Sequence, residues 1–216
     1  MIHPPVVRGG TAVRWSALVL GLFLFALGIV LLLEADLGLS PWDVLNQGLS
    51  DHTGLSFGTA NIVVAFVVLA GAWALGARIG PGTVANAVLI GLLVDALLAI
   101  DAVASLGGGS LASRVALLVL GIVLIGLGSG LYIGADLGAG PRDSLMLVLA
   151  RRGGIRIGVV RAALEASVTV VGFALGGTVG IGTLAFVFGI GPAVELAFAG
   201  LVRLRLARPV ALAATE

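Results

Sequence analysis

The sequence predicts an all-α membrane protein of six transmembrane helices, built as two inverted three-helix repeats with a short half-helix after the first span of each. Three observations carry this. Of 216 residues, 59% are hydrophobic and 11% charged, far below the roughly one quarter charged in a soluble domain, and the mean hydropathy is +1.20. Six uninterrupted apolar runs are long enough to cross a bilayer. The chain also matches itself, without a gap, at an offset of 100 residues.

The runs cover 16–33, 57–77, 82–100, 115–134, 157–176 and 181–201. A helical rise of about 1.5 Å per residue makes each roughly 27 to 31 Å long, close to the thickness of the hydrocarbon core. Helices of these lengths in a soluble protein would need polar faces, and the charges are too few to supply them. Arg8 and Arg14 precede the first run, as they would a secretory signal. The run is longer than a signal core, and Glu34-Ala35-Asp36-Leu37 after it is no small-residue cleavage site, so it is read as a retained span.

All twelve cationic side chains are arginine. With a cytoplasmic N-terminus, eleven fall on the inner side and only Arg114 outside, which places both termini in the cytoplasm. Trp15 and Trp73 then stand near inner ends of spans, as interfacial anchors do. The expected divisions are an N-terminal tail (1–11), a first repeat (12–100), a connecting loop (101–111), a second repeat (112–201) and a C-terminal tail (202–216).

In the repeat, Glu34-Ala35-Asp36-Leu37-Gly38-Leu39-Ser40-Pro41-Trp42-Asp43 aligns with Gly134-Ala135-Asp136-Leu137-Gly138-Ala139-Gly140-Pro141-Arg142-Asp143. Other mates include Arg14/Arg114, Gly21/Gly121, Gly28/Gly128, Gly58/Gly158, Thr83/Thr183, Gly91/Gly191 and Asp95/Glu195. Three spans per copy is an odd number, so the second copy enters the bilayer from the opposite side. The loop after the first span carries acids only, whereas its mate gains Arg142, Arg151 and Arg152, as opposite compartments require.

Each motif reads as a helix start. Ser40 suits the N-cap and Pro41 the first turn, with Pro141 following Gly140 in the second copy. Helices over 41–50 and 141–150 would be about 15 Å long, too short to span. They lie along the interface, or they re-enter the membrane so that the two motifs approach each other. In the second case Asp36, Asp136, Asp43 and Asp143 are candidate ligands for a solute, an ion or a proton, with Gly38, Pro41, Gly138 and Pro141 as the structural frame. Capping of their own helices is the favoured role for Asp43 and Asp143.

Asp95 and Glu195 are the other paired acids. Each ends a stripe of every fourth residue, Thr83-Ala87-Gly91-Asp95 and Thr183-Val187-Gly191-Glu195, which should face protein or a cavity. A transport role and a local structural role are both open. Glu165 lies one turn from Arg161, and their mates are Asn61 and Ala65. The pair is therefore unique to the second half, as a structural ion pair or as part of an asymmetric site.

Other chemistry finds little support. Without cysteine there is no disulfide or thiolate metal site, and His3 and His52 are the only histidines. A net charge of +1 gives no nucleic-acid footprint. The G-x-G-T segments at 80–83 and 180–183 are turns between spans, not phosphate loops. No enzyme activity and no cofactor is expected.

The A-D-L-G-x-x-P-x-D motif after a first apolar helix, in a six-span chain of this size, resembles the YczE/YyaS/YitT group of bacterial integral membrane proteins. The resemblance covers residues 12–201 and bears on Asp36, Gly38, Pro41, Asp43 and their mates. It implies a bacterial cytoplasmic-membrane location. About fifteen residues follow the last span, so the soluble C-terminal domain of YitT-type members is missing and the chain is closer to the YczE-like branch.

The leading expectation is a small secondary transporter or permease for a small solute or ion. Its partners are then the lipid bilayer, that solute, and a second copy or another membrane protein. The alternative is a non-transporting membrane protein that assists assembly or regulation of a partner complex. A substrate-binding subunit of a larger importer needs no internal symmetry and fits the repeat less well.

Overall fold

The computed structural model describes residues 4–208, so His3 and the far ends of both expected tails lie outside the described residues. The helices are α1 (Thr11–Ala35), α2 (Pro41–Thr53), α3 (Phe57–Ala74), α4 (Pro81–Leu98), α5 (Asp101–Ala104), α6 (Leu111–Gly134), α7 (Pro141–Gly153), α8 (Ile157–Ala174) and α9 (Ile181–Arg203). Six of them, α1, α3, α4, α6, α8 and α9, are long and apolar enough to cross a membrane. The half-helices α2 and α7 have 13 residues each, one turn longer than expected. The connecting loop holds α5 and the 3-10 turn Leu106–Gly108. Two short strands, β1 (Val6–Val7) and β2 (Ala207–Arg208), pair antiparallel and tie the flanks of the bundle together.

The centre is the antiparallel crossing of α1 and α6. A Cβ on Gly21 would lie 2.7 Å from the Gly128 carbonyl oxygen, and one on Gly28 would lie 2.7 Å from that of Gly121. Exchanging the halves turns one contact into the other. Glycine allows the two backbones to meet at this distance, as small residues do where membrane helices cross closely. Leu18, Leu22, Ile29, Leu32 and Ile125 are fully buried around the crossing. α4 flanks α1 and α9 flanks α6 in the same reciprocal manner, while the half-helices are exchanged: α2 packs on α8 and α7 on α3.

The A-D-L-G segments explain this exchange. Asp36 and Asp136 end their helices in the left-handed region (φ 46 and 52), followed by Gly38 and Gly138 at φ 110 and 128. L residues rarely adopt the latter conformation, and a Cβ on Gly38 would also strike Gly180 and Thr183, as one on Gly138 would strike Gly80 and Thr83. The turn aims the Leu37 carbonyl at the Gly182 N–H (2.6 Å) and the Leu137 carbonyl at the Gly82 N–H (2.9 Å). Each G-x-G-T start is thus the notch that receives the loop of the other half.

One pair of equivalent contacts differs. α3 lies along α4, and Gly58 and Gly91 are so close that a Cβ on either would meet the carbonyl oxygen of the other. Asp95 fastens this seam, accepting from the Gly58 N–H (2.7 Å) and the Ser56 hydroxyl (2.6 Å). α8 and α9 stand apart: among the described residues nothing lies within 4 Å of a Cβ placed on Gly158 or Gly191. The stripe expected to face protein does so in α4, where Thr83, Ala87 and Gly91 are buried. In α9 only Thr183 is buried, while Val187, Gly191 and Glu195 are exposed.

Candidate functional site

A cavity of about 360 Å³ lies between the two halves and reaches out between α8 and α9. Its lining contains both members of several mate pairs, including Pro41/Pro141, Trp42/Arg142, Asp43/Asp143, Asn61/Arg161, Ala65/Glu165 and Ile90/Ile190. It therefore sits where the repeats face each other. Gly191 and Glu195 line it and their mates Gly91 and Asp95 do not, which is the asymmetry of the helix pairs seen from inside.

The N-termini of α2 and α7 both open onto the cavity. In α2, Ser40 caps the helix, its Oγ accepting from the Asp43 N–H at 3.3 Å. The expected capping by Asp43 is not what its carboxylate does. It accepts from the Ser40 hydroxyl and from the Asn46 side-chain amide (3.2 Å), and faces Arg142 at 3.8 Å. Burial of Asp43 is almost complete, and a buried carboxylate needs such partners. The Arg142 guanidinium also lies 5.1 Å from the centre of the Trp42 ring, within cation–π range. Asp143 likewise turns from its own helix, accepting from the Tyr132 hydroxyl at 2.9 Å. Arg161 and Glu165 form the expected one-turn ion pair at 2.8 Å, on the cavity wall.

Asp36 and Asp136 do not reach the cavity. Their side chains are 72% and 67% exposed at opposite ends of the α1/α6 pair, where Asp36 meets Arg114 (2.9 Å) and Asp136 meets Arg14 (3.0 Å). The same arginines donate to the Ala35 and Ala135 carbonyls. They thereby satisfy groups that every helix C-terminus leaves without a partner. These acids clamp the ends of the two central helices from opposite sides. Among the described residues no three His, Cys, Asp or Glu side chains are placed to hold a metal ion.

Residues 12–198 match a family described as a family of unknown function, DUF6198. The chain belongs to this family. The DUF6198 chain is 37% identical over 174 residues to YczE of Bacillus subtilis (strain 168), described as an uncharacterized membrane protein, with 79% of each chain covered. An uncharacterized protein of Haemophilus influenzae is 37% identical over 180 residues, covering 83% of this chain and 81% of its own length. YyaS of Bacillus subtilis is 30% identical over 168 residues, 76% of this chain and 82% of its own length. No solved structure matches. With its six apolar helices, this DUF6198 member is a multi-pass integral membrane protein.

Sequence reasoning missed much of the DUF6198 cavity wall: Trp42, Arg142, Tyr132, Asn61 and Asn86. The signal was present as broken symmetry. Tyr132 stands against Leu32, Arg142 against Trp42, Arg161 against Asn61 and Asn86 against Phe186, and each exchange puts a polar group at a point where the cavity is lined. The Arg14–Asp136 and Arg114–Asp36 clamps were equally readable, since both members of each pair recur at the same offset.

Proposed function

We propose that this chain is a small secondary carrier of the bacterial cytoplasmic membrane, with its solute site in the cavity between two inverted repeats. The observation that carries this is the unequal state of equivalent helix pairs. The seam closed by Gly58, Gly91 and Asp95 in the first half is open in the second, although Gly158, Gly191 and an acid at 195 are all retained. A carrier with inverted repeats exposes its site to one side at a time, and the two halves exchange states to change sides.

With the orientation given by the arginines, α8 and α9 are joined at the outer face and part toward the cytoplasm, so the cavity opens inward. The outer ends of α3 and α4 are shut. The outward-facing state then has α8 and α9 closed through Gly158 and Gly191. Glu195 moves from the cavity to the Gly158 N–H, with Arg156 in the place of Ser56. Asp43, Asp143, Glu165 and Arg142 remain at the centre in both states. Any driving force comes from an ion gradient or a partner.

The natural chain lacks cysteine, which makes the test direct. Ser56→Cys with Asp95→Cys should cross-link readily in membranes under oxidant. Arg156→Cys with Glu195→Cys should cross-link more slowly, as the second state is visited, and the four-cysteine chain should form one bridge at a time. Absence of any 156–195 bridge, or simultaneous formation of both, overturns the carrier reading.

A further inference from the structure

We propose that the cavity takes a small organic cation, an ammonium compound bearing a hydroxyl or similar acceptor, with Glu195 and Asp143 as its counter-charges. This rests on the carrier reading for treating the cavity as a solute site, and adds the solute's chemical class.

Charge is the first reason. The wall carries four carboxylates, Asp43, Asp143, Glu165 and Glu195, against the guanidiniums of Arg142 and Arg161. Arg142 is engaged with Asp43 and Arg161 with Glu165. Asp143 has only the Tyr132 hydroxyl as a direct partner, and Glu195 has no hydrogen bond or ion pair among the described residues. Two acids on the wall, the half-buried Asp143 and the exposed Glu195, are thus without a paired cation, and a cationic solute supplies the counter-charge that an anion could not.

The second reason is independent of charge. Asn61 lines the cavity at 4% exposure, and its side-chain nitrogen has no hydrogen-bond partner. A buried amide left in this state costs free energy; the nitrogen is itself shielded from the cavity, so a turn of the Asn61 amide on loading is what brings it to an acceptor group on the solute. The third is the aromatic wall: Arg142 already places a cation over Trp42, and Phe25, Tyr132 and Phe186 line the same space. Among the described residues the acids do not converge in a metal-binding group, which favours an organic ammonium over a divalent ion.

The test measures the melting temperature of the purified full-length protein with ethanolamine, choline, putrescine, sodium acetate and magnesium chloride. At least one of the three amines should stabilise it in a saturable manner, and acetate and magnesium should not. Glu195→Gln, whose own melting temperature should match the natural chain because Glu195 has no partner to lose, should raise the apparent Kd for that amine at least about tenfold. Asp143→Asn should do the same. Asn61→Ala should weaken ethanolamine or choline more than putrescine, which has no acceptor. Stabilisation by acetate or magnesium alone, no response to any of the three amines, or an amine response unchanged in Glu195→Gln overturns the proposal. The 156–195 cross-link needs no solute, so its persistence alongside a failed amine screen removes the ligand class while the carrier reading stands.

Discussion

The two repeats share a backbone plan and a set of glycines, yet α3 and α4 are sealed while α8 and α9 are not. The glycines at 58 and 91 are in contact, and those at 158 and 191 have no protein neighbour within 4 Å of an added Cβ among the described residues. The packing seen here gives no reason for the glycines of the first half to recur at 158 and 191. The difference shows that one sequence pattern can serve a contact in one half and an unmade contact in the other. What distinguishes the halves is the polar dressing, with Arg161 and Glu165 standing where the first half has Asn61 and Ala65.

Substitutions at mated positions should therefore have unequal effects. The largest is expected at the cavity, where Trp42 and Arg142 are mates. Arg142→Leu strips the buried Asp43 of the cation facing it at 3.8 Å and should cost up to about 3 kcal/mol, read as a lowered melting temperature, with Asp43→Asn in the same chain restoring most of it. Trp42→Leu leaves the ion pair intact and should cost less. At the seam, Gly91→Ala forces a methyl against the Gly58 carbonyl and should cost about 1–3 kcal/mol. Gly191→Ala meets open space and should leave the melting temperature unchanged or higher, while suppressing the 156–195 cross-link.

The paired acids give a finer contrast. Asp95→Ala leaves the Gly58 N–H and Ser56 hydroxyl without their acceptor and should cost about 1–3 kcal/mol. Glu195→Ala should stay within about 0.5 kcal/mol of the natural chain. Below Asp95→Ala, Arg14→Ala and Arg114→Ala should each cost about 1 kcal/mol or less, because their ion pairs are largely exposed. Here the halves should agree, and the double variant should show the sum of the two losses, since the clamps sit at opposite ends of the central pair. Unequal losses at 14 and 114 would show that the reciprocity of the α1/α6 pair is only geometric.

The spans and half-helix starts were legible because hydropathy and the Ser40-Pro41 and Gly140-Pro141 starts are local signals. The exchange of the half-helices was not, since it depends on Leu37 and Leu137 reaching notches more than fifty residues away in the chain. The same limit explains the acids. Spacing from the cap position suggested that Asp43 and Asp143 serve their own helices; Asn46, one turn along α2, is a local partner of Asp43, but nothing local reveals that Arg142 and Tyr132 compete for the two acids. Asp36 and Asp136 looked like the best site residues because their motif repeats most faithfully. The structure ties that fidelity to docking and to the arginine clamps. The less faithful positions, 42, 61, 65 and their mates, surround the cavity.

The exchange of α2 and α7 has a consequence for biogenesis. When the first three spans have been synthesised, the surface that covers Val44 and Gly48 does not yet exist, because it lies on α8. The pocket for the Leu37 carbonyl arrives later still, with Gly182. The newly inserted first half thus holds Asp43 without its Arg142 and a Leu37 carbonyl without its Gly182 N–H, and the second of these gains its partner only with the last span. Its quality as a folded object is decided at the end of translation, and a chain truncated after residue 180 should be recognised by membrane proteases as incomplete even though most of its spans are already inserted.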